Sequence, residues 1–242
     1  MAHFYLNESL ASAEVGALVD LVGAESRHAV TVSRVAAGER LVIGNGAGLV
    51  VTGIVREADS ARLTLEAETV TQASPPTPGI WLAQALAKGD RDELAVQAAT
   101  ELGADGVIPW SASRSVSRWE GAKVAKGQHR WMTIVREATK QSVRAWLPEV
   151  GNLVSTKQLA ALAATTHMLV LDPDGPTALT SVVTGSRDVV VVVGPEGGIA
   201  PNELELLSAA GATLVRLGDT VLRTSTAGPA AIALLNAKLG RW

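Results

Sequence analysis

Residues 73–79 read "ASPPTPG", and no regular element continues through such a run. Its prolines fix φ and remove backbone donors, so strands and helices have to end on either side of it. The two flanks differ in rhythm. Upstream, "RLVIGNGAGLVVTGIVREA" sets β-rich runs around a glycine turn at residues 44–48, as a hairpin does. "ARLTLEAETV" alternates apolar and polar residues at period two, the mark of a half-buried antiparallel strand. The break therefore predicts a small all-β domain over residues 1–72, a linker over 73–79 and a second domain over 80–242.

Downstream, strand and helix patterns alternate. "IWLAQAL" reads as a strand, "DELAVQAATELG" as a helix ended by Gly103, and "GVIPW" as a short strand. "HRWMTIVREATKQSVRAW" is an amphipathic helix expected to stop before Pro148. "HMLVLD", "DVVVVVG" and "ATLVRLG" are continuous apolar runs, as strands covered on both faces require. The fold class expected is α/β with a mainly parallel sheet, preceded by the β domain.

Several function classes drop out. Apolar runs of five to seven residues fall short of the roughly 18 to 20 that span a bilayer, so a soluble protein without membrane contact is expected. The start, "MAHFYLNESL", lacks the basic and apolar regions of a secretory signal, and cysteine is absent, which fits a cytoplasmic location. His3, His28, His129 and His167 are too scattered for metal ligation, so no metal is expected. No G-x-S-x-G elbow is present either.

Charge is uneven. The whole chain carries −3, yet residues 111–146 hold eight basic and two acidic side chains. This stretch, "SASRSVSRWEGAKVAKGQHRWMTIVREATKQSVRAW", reads equally as a solvated helical face or a polyanion site.

The strongest candidate site is "VVVVVGPEGGIAPNELELL", from Val189 to Leu207. An apolar strand delivers its end at Gly194, glycines permit close backbone approach, and a helix follows from about Pro201. Ligands of open α/β sheets bind at such carboxyl ends. The turn matches no phosphate loop, and Glu196 would repel phosphate while suiting a cationic ligand or a ribose hydroxyl. A plain tight turn is the competing explanation. In "LGDTVLRTSTAGPAAIALLNAKL", residues 219–224 form a loop, Ser225 or Thr226 can cap the final helix, and Pro229 falls in its first turn. Arg223 would face the same sheet edge as Glu196. In "KGDRDE", Lys88 and Arg91 join that edge; two cations at a helix start oppose the helix dipole and invite phosphate contact.

Together these stretches resemble the ribosomal RNA small subunit methyltransferase E family, within the SPOUT class of knotted methyltransferases. "VGPEGGIAPNE" and "LGDTVLRTSTA" are similar to its two cofactor-loop motifs. "ALAKGDRDELAVQAATELGADGVIPWSASRSV", "RWMTIVREATKQSVR" and "HAVTVSRVAAGERLVIGNGAG" resemble three further family segments, in family order over nearly the whole chain.

The resemblance implies a PUA-like β-barrel, a trefoil-knotted α/β domain and a homodimer. It implies S-adenosylmethionine as methyl donor and N3 of one uridine in the decoding region of 16S rRNA as acceptor. The cofactor would lie against Leu171, Val193, Gly194, Pro195, Glu196, Gly197, Gly198, Leu217, Gly218, Val221, Leu222, Arg223, Thr224 and Thr226. Arg223, helped by Arg91, would stabilise charge on the uridine, and Glu196 would orient the cofactor or act as base. Arg27, His28, Arg34, Lys88, Arg91, Arg114, Arg118, Lys123, Lys126, Arg130, Gln141 and Arg144 would hold the RNA, either within a small-subunit particle or as naked rRNA. Ser225 and Lys140 stand where the family pattern carries glutamates, residues 219–220 replace a Pro-Arg pair, Ala98 a lysine and His3 an arginine. Two other classes compete: a nucleotide-dependent oxidoreductase, whose fingerprint "ALAKGDRDE" lacks, and a non-catalytic RNA-binding factor.

Overall fold

Period-two patterning in the N-terminal stretch builds strands, and one asparagine joins two of them. In a computed structural model, which describes residues 3–242, the elements are β1 (Phe4–Leu6), β2 (Leu18–Val22), α1 (Gly23–Arg27), β3 (Arg40–Gly44), β4 (Leu49–Ala58) and β5 (Arg62–Gln72). The sheet order is β1-β3-β4-β5-β2, with β1 parallel to β3 and the other pairs antiparallel. Asn45 Oδ1 accepts from Ala47 N at 2.8 Å and from Leu49 N at 3.0 Å, so its side chain holds the β3–β4 turn. The two end strands are bridged where Asn7 Nδ2 donates to Asp20 O at 2.8 Å. Leu21, Leu41, Ile43, Val51, Leu63 and Leu65 form the core behind them. After α1 the chain makes one wide helical turn over His28–Val32, closed by Ser33 N donating to His28 O.

The second domain begins with β6 (Ile80–Ala85), α2 (Arg91–Glu101) and β7 (Gly106–Ser111), followed by α3 (Ala122–Gln141). The chain then forms β8 (Glu149–Val150), β9 (Val154–Ser155), α4 (Thr156–Leu162), β10 (His167–Leu171), β11 (Thr177–Ala178), β12 (Val189–Val193), α5 (Pro201–Ala209), β13 (Thr213–Arg216) and α6 (Thr224–Lys238). The sheet order is β11-β13-β10-β12-β6-β7-β8, with β9 also on β7, and every pair is parallel. The valine strand β12 lies between β10 and β6 with all five side chains buried, which explains why its sequence does not alternate. Each buried valine contributes roughly 1.5 kcal/mol or more to stability. At the chain's end, Arg241 donates to Asp105 Oδ2 at 3.0 Å and to Pro78 O, tying the C-terminal residues to the entry of β6.

Three boundaries differ from the sequence reading. The α/β domain was expected to hold all of residues 80–242, but the compact units are Met1–Pro75 with Thr139–Leu147, and Pro76–Ala138 with Pro148–Trp242. The Thr139–Leu147 segment is tied to the β domain by Leu147 N donating to Gly46 O at 2.9 Å, by Gly48 N donating to Ala145 O at 3.0 Å, and by a half-buried ion pair in which Lys140 Nζ meets Glu25 Oε1 at 3.1 Å. Helix α3 also stops at Gln141 rather than running to Trp146, because Val143 turns left-handed at φ 55°. Val143 N donates to Lys140 O and Arg144 N to Thr139 O, the paired bonds of a Schellman C-cap. Pro229 sits in the second turn of α6 rather than its first, since that helix begins at Thr224. Helix α4 was not anticipated, although Ser155 and Gln158 form the capping box that marks its start. Among the described residues, no helix is long and apolar enough to cross a membrane.

A β-branched residue at a left-handed C-cap position costs about 1–2 kcal/mol, partly offset by the greater unfolded-state entropy of glycine. Val143→Gly is therefore expected to stabilise the protein by about 1 kcal/mol, read as a rise in the midpoint of chemical or thermal unfolding.

Candidate functional site

Parallel pairing sends the carboxyl ends of neighbouring strands to one edge. β13, β10, β12 and β6 are adjacent, so the loops after Arg216, Leu171, Val193 and Ala85 all leave from that edge. The first three surround a cavity of about 520 Å³, within the size range of small-molecule sites. Leu171, Val193, Gly194, Pro195, Glu196, Gly198, Leu217, Gly218, Val221, Leu222, Arg223 and Thr224 line it, together with Arg91. Of the expected cofactor residues only Gly197 and Thr226 stay outside. Asp172, Pro173, Ile199, Leu204, Val215, Thr220 and Ala227 also line it and were missed; Asp172 and Pro173 follow the "HMLVLD" strand end, where a third loop was there to be read.

Backbone form explains the glycines. A Cβ on Gly194 would come within 2.6 Å of Ile199 Cγ1, and Gly198 has φ +71°. Thr224, buried, joins two of the loops: its Oγ1 donates to Gly194 O at 2.7 Å and accepts from Gln84 Nε2 at 2.8 Å. The expected cap of α6 by Ser225 or Thr226 is not made. Arg223 occupies the N-cap position without a side-chain cap, and Thr226 Oγ1 instead donates to Arg223 O at 3.1 Å.

Glu196 is tied down from the neighbouring loop. Its Oε1 accepts from Lys88 N at 2.9 Å and from Arg91 Nη1 at 3.2 Å. Burial pushes its carboxyl up, but its own backbone N–H, that of Lys88 and the Arg91 guanidinium outweigh this and hold it below the ordinary range. Such a group is a weak base and a good orienting anion. Asp92 is 6% exposed and accepts from Ala87 N at 3.3 Å, which shapes the loop carrying Lys88.

A second carboxylate supports the same wall from outside the cavity. Glu203, 4% exposed, accepts from Ser113 N at 3.0 Å and Thr156 Oγ1 at 2.6 Å through one oxygen. Through the other it accepts from Ser113 Oγ at 2.8 Å and Ala200 N at 3.2 Å. Burial raises its carboxyl; the bonds from Thr156, Ser113 and Ala200 outweigh that and keep it below the ordinary glutamate range.

The basic residues divide by what they touch. Arg130 is engaged by Glu93 through two nitrogens at 3.0 and 2.8 Å, and Arg114 Nη1 donates to Gly197 O at 3.1 Å. Arg118, Lys123, Lys126 and Lys88 are exposed in the second unit. In the first unit Arg27, His28, Arg34 and Gln141 are exposed, Arg144 is half-buried, and the His28 ring meets Tyr5 edge-on at 6.0 Å. Among the described residues, no three His, Asp or Glu side chains gather as a metal site needs.

Known proteins are similar to this chain in sequence and fold. Residues 74–236 match the RNA methyltransferase domain family, and residues 21–68 the RNA methyltransferase PUA domain family. A ribosomal RNA small subunit methyltransferase E of Mycobacterium bovis is 40% identical over 235 residues, which are 95% of this chain and 90% of the relative. Its Bacillus subtilis namesake is 27% identical over 237 residues, 94% of this chain and 93% of that one. The solved Neisseria gonorrhoeae methyltransferase of the same name, bound to S-adenosyl methionine, gives a TM-score of 0.88 at 28% identity and covers 98% of both chains. A Legionella pneumophila methyltransferase in complex with the bound cofactor SAM gives 0.87 at 29% identity, again over 98% of both.

Glu203 carries a pH signature. Its native carboxyl binds a proton less readily than the unfolded one, so it adds stability above the ordinary glutamate range, and that stability is lost as pH falls through the lower native value. Glu203→Gln should flatten part of the acid-induced loss, read by comparing urea midpoints of the two proteins between neutral and acidic pH; parallel curves would deny the carboxylate this role.

Proposed function

The chain belongs to the ribosomal RNA small subunit methyltransferase E family, and from that premise we propose that it methylates N3 of a uridine in the decoding region of 16S rRNA. It is an S-adenosylmethionine-dependent rRNA methyltransferase with a PUA domain followed by a methyltransferase domain. The observation that carries the reading is the cavity built jointly by the two family cofactor motifs and the "HMLVLD" strand end.

The residues present fit the cofactor. Apolar walls from Leu171, Val193, Val215 and Leu222 suit an adenine and a methylene chain, while Asp172 and Glu196 suit its cationic sulfonium and ammonium. Among the described residues, the loop at 217–222 makes no backbone–backbone hydrogen bond, which leaves its N–H and C=O groups for a ligand. Leu171, residues 193–198 and residues 217–224 would hold the molecule, which supplies an electrophilic methyl on a sulfonium.

The protein's part is alignment, exclusion of water and charge stabilisation. Loss of the N3 proton to water at the RNA-facing mouth of the site puts negative charge on the flanking uridine oxygens. Arg223, at the cavity wall, stabilises that charge. Arg91 assists from the opposite loop, where Glu196 fixes it at 3.2 Å. Glu196 orients and does not take the proton, consistent with its lowered carboxyl.

Arg118, Lys123 and Lys126 of the α/β unit grip rRNA phosphates, with Lys88, Arg91, Arg114 and Arg130 beside them in the chain's basic and loop segments. Arg27, His28, Arg34, Gln141 and Arg144 serve the β unit in the same way. The family likeness supports three further features of this reading: a trefoil knot in the α/β domain, a homodimer, and a small-subunit particle as the form in which 16S rRNA is met in the cytoplasm.

The direct test is transfer of labelled methyl to small-subunit particles, followed by nucleoside mass spectrometry. N3-methyluridine is expected; a different methylated nucleoside would reassign the acceptor, and no transfer would favour a non-catalytic RNA-binding protein. Arg223→Ala should lower kcat by about 10²–10³ with cofactor affinity within about threefold; equal losses would move Arg223 to the cofactor site. Replacing Lys123 and Lys126 together by alanine should reduce the slope of log affinity against log salt by about two.

A further inference from the structure

The cavity wall formed by residues 194–200 does little to hold its own shape. Inside it, Gly198 N donates to Pro195 O at 2.9 Å. Its remaining supports come from elsewhere in the α/β unit, and two of them start from one dipeptide, Ser113–Arg114. Ser113 donates twice to Glu203, and the same carboxylate accepts from Ala200 N at the end of the wall. Arg114 donates to Gly197 O in the middle of it.

Gly197 is the member of residues 193–199 that does not line the cavity. The guanidinium therefore reaches the turn on a carbonyl away from the lining. The arginine stem lies along the same glycine: a Cβ there would stand 3.4 Å from Arg114 Cβ and 3.8 Å from its Cδ. Glu203 is also absent from the lining, is 4% exposed, and is fully used by four neutral donors. Neither side chain touches the space where a ligand would sit. Both fix the backbone that encloses it.

We propose that Arg114 and Glu203 are positioning residues for the methyl donor, setting the geometry of residues 194–200 through Gly197 O and Ala200 N. This takes Arg114 from the phosphate-gripping set into the support of the cofactor wall. The inference rests on the reading that the cavity holds S-adenosylmethionine, and its test separates the two.

The wild type, Arg114→Ala, Arg114→Lys, Glu203→Gln and the Arg114→Ala/Glu203→Gln double variant are compared by calorimetry with S-adenosylmethionine in the absence of RNA. Melting temperature, KM for the donor and kcat on small-subunit particles are measured alongside. Arg114 is exposed, so its loss leaves the fold standing. Arg114→Ala is expected to weaken donor binding roughly tenfold, the size of one charge-assisted hydrogen bond, with an unchanged melting temperature. KM for the donor should rise in step while kcat at saturating donor stays within about threefold, and Arg114→Lys should recover most of the affinity. The double variant should lose less than the product of the single effects, since both act on one turn. Unchanged donor affinity in Arg114→Ala, with RNA affinity reduced, would overturn the proposal and return Arg114 to phosphate contact. Losses in Arg114→Ala that track melting temperature, or that fall on kcat alone, would also overturn it. Absence of donor binding by the wild type would instead overturn the reading of the cavity.

Discussion

The parallel register around β12 decides where chemistry can occur. Val189–Val193 pairs residue for residue with His167–Leu171 on one side and with residues 80–84 on the other. Since all three strands point the same way, their loops emerge together and a ligand site forms where they end. An antiparallel neighbour at either position would have sent one loop to the opposite edge. Because the five buried valines are alike, the register is held by what flanks them: a one-residue slip would break the bond that Asp188 Oδ1 accepts from Gly79 N at 2.6 Å and carry Asp188 or Gly194 into the strand.

Much of this organisation was legible in the chain. The "VVVVVG" run could only be a strand covered on both faces, and the glycine turn after it had to be tight, as the 2.6 Å approach of a Cβ on Gly194 to Ile199 shows. What the sequence hid were dependencies between distant segments. Nothing in "TKQSVRAW" announces that Lys140 meets Glu25, because a lysine near the end of an amphipathic helix reads as a solvated cation. Val143 was equally opaque, since a β-branched residue is a poor signal for a left-handed C-cap that glycine normally fills. Charge marks Arg114 and Arg130 as candidate phosphate ligands but says nothing of the partners each has within the protein, Gly197 O and Glu93, which lie 83 and 37 residues away.

The carboxylates show why position outweighs identity. Glu196 and Glu203 stand seven residues apart in one motif, both below the ordinary range, yet by different means. Glu196 is at the cavity and leans on a cation, Arg91. Glu203 is away from it and relies on neutral donors from three segments. The first can answer to a ligand, whereas the second fixes the frame in which a ligand is met.

The inclusion of Thr139–Leu147 in the N-terminal unit has a consequence for synthesis. The ribosome releases residues 3–72 long before Lys140, so the strands of the β unit are complete while the ammonium that faces Glu25 is still untranslated. Until then a carboxylate meant for a half-buried pair lacks the cation that offsets its desolvation. The N-terminal module therefore cannot close on its own strands alone: Pro76–Ala138, which belong to the other unit, must be threaded out before its last segment arrives.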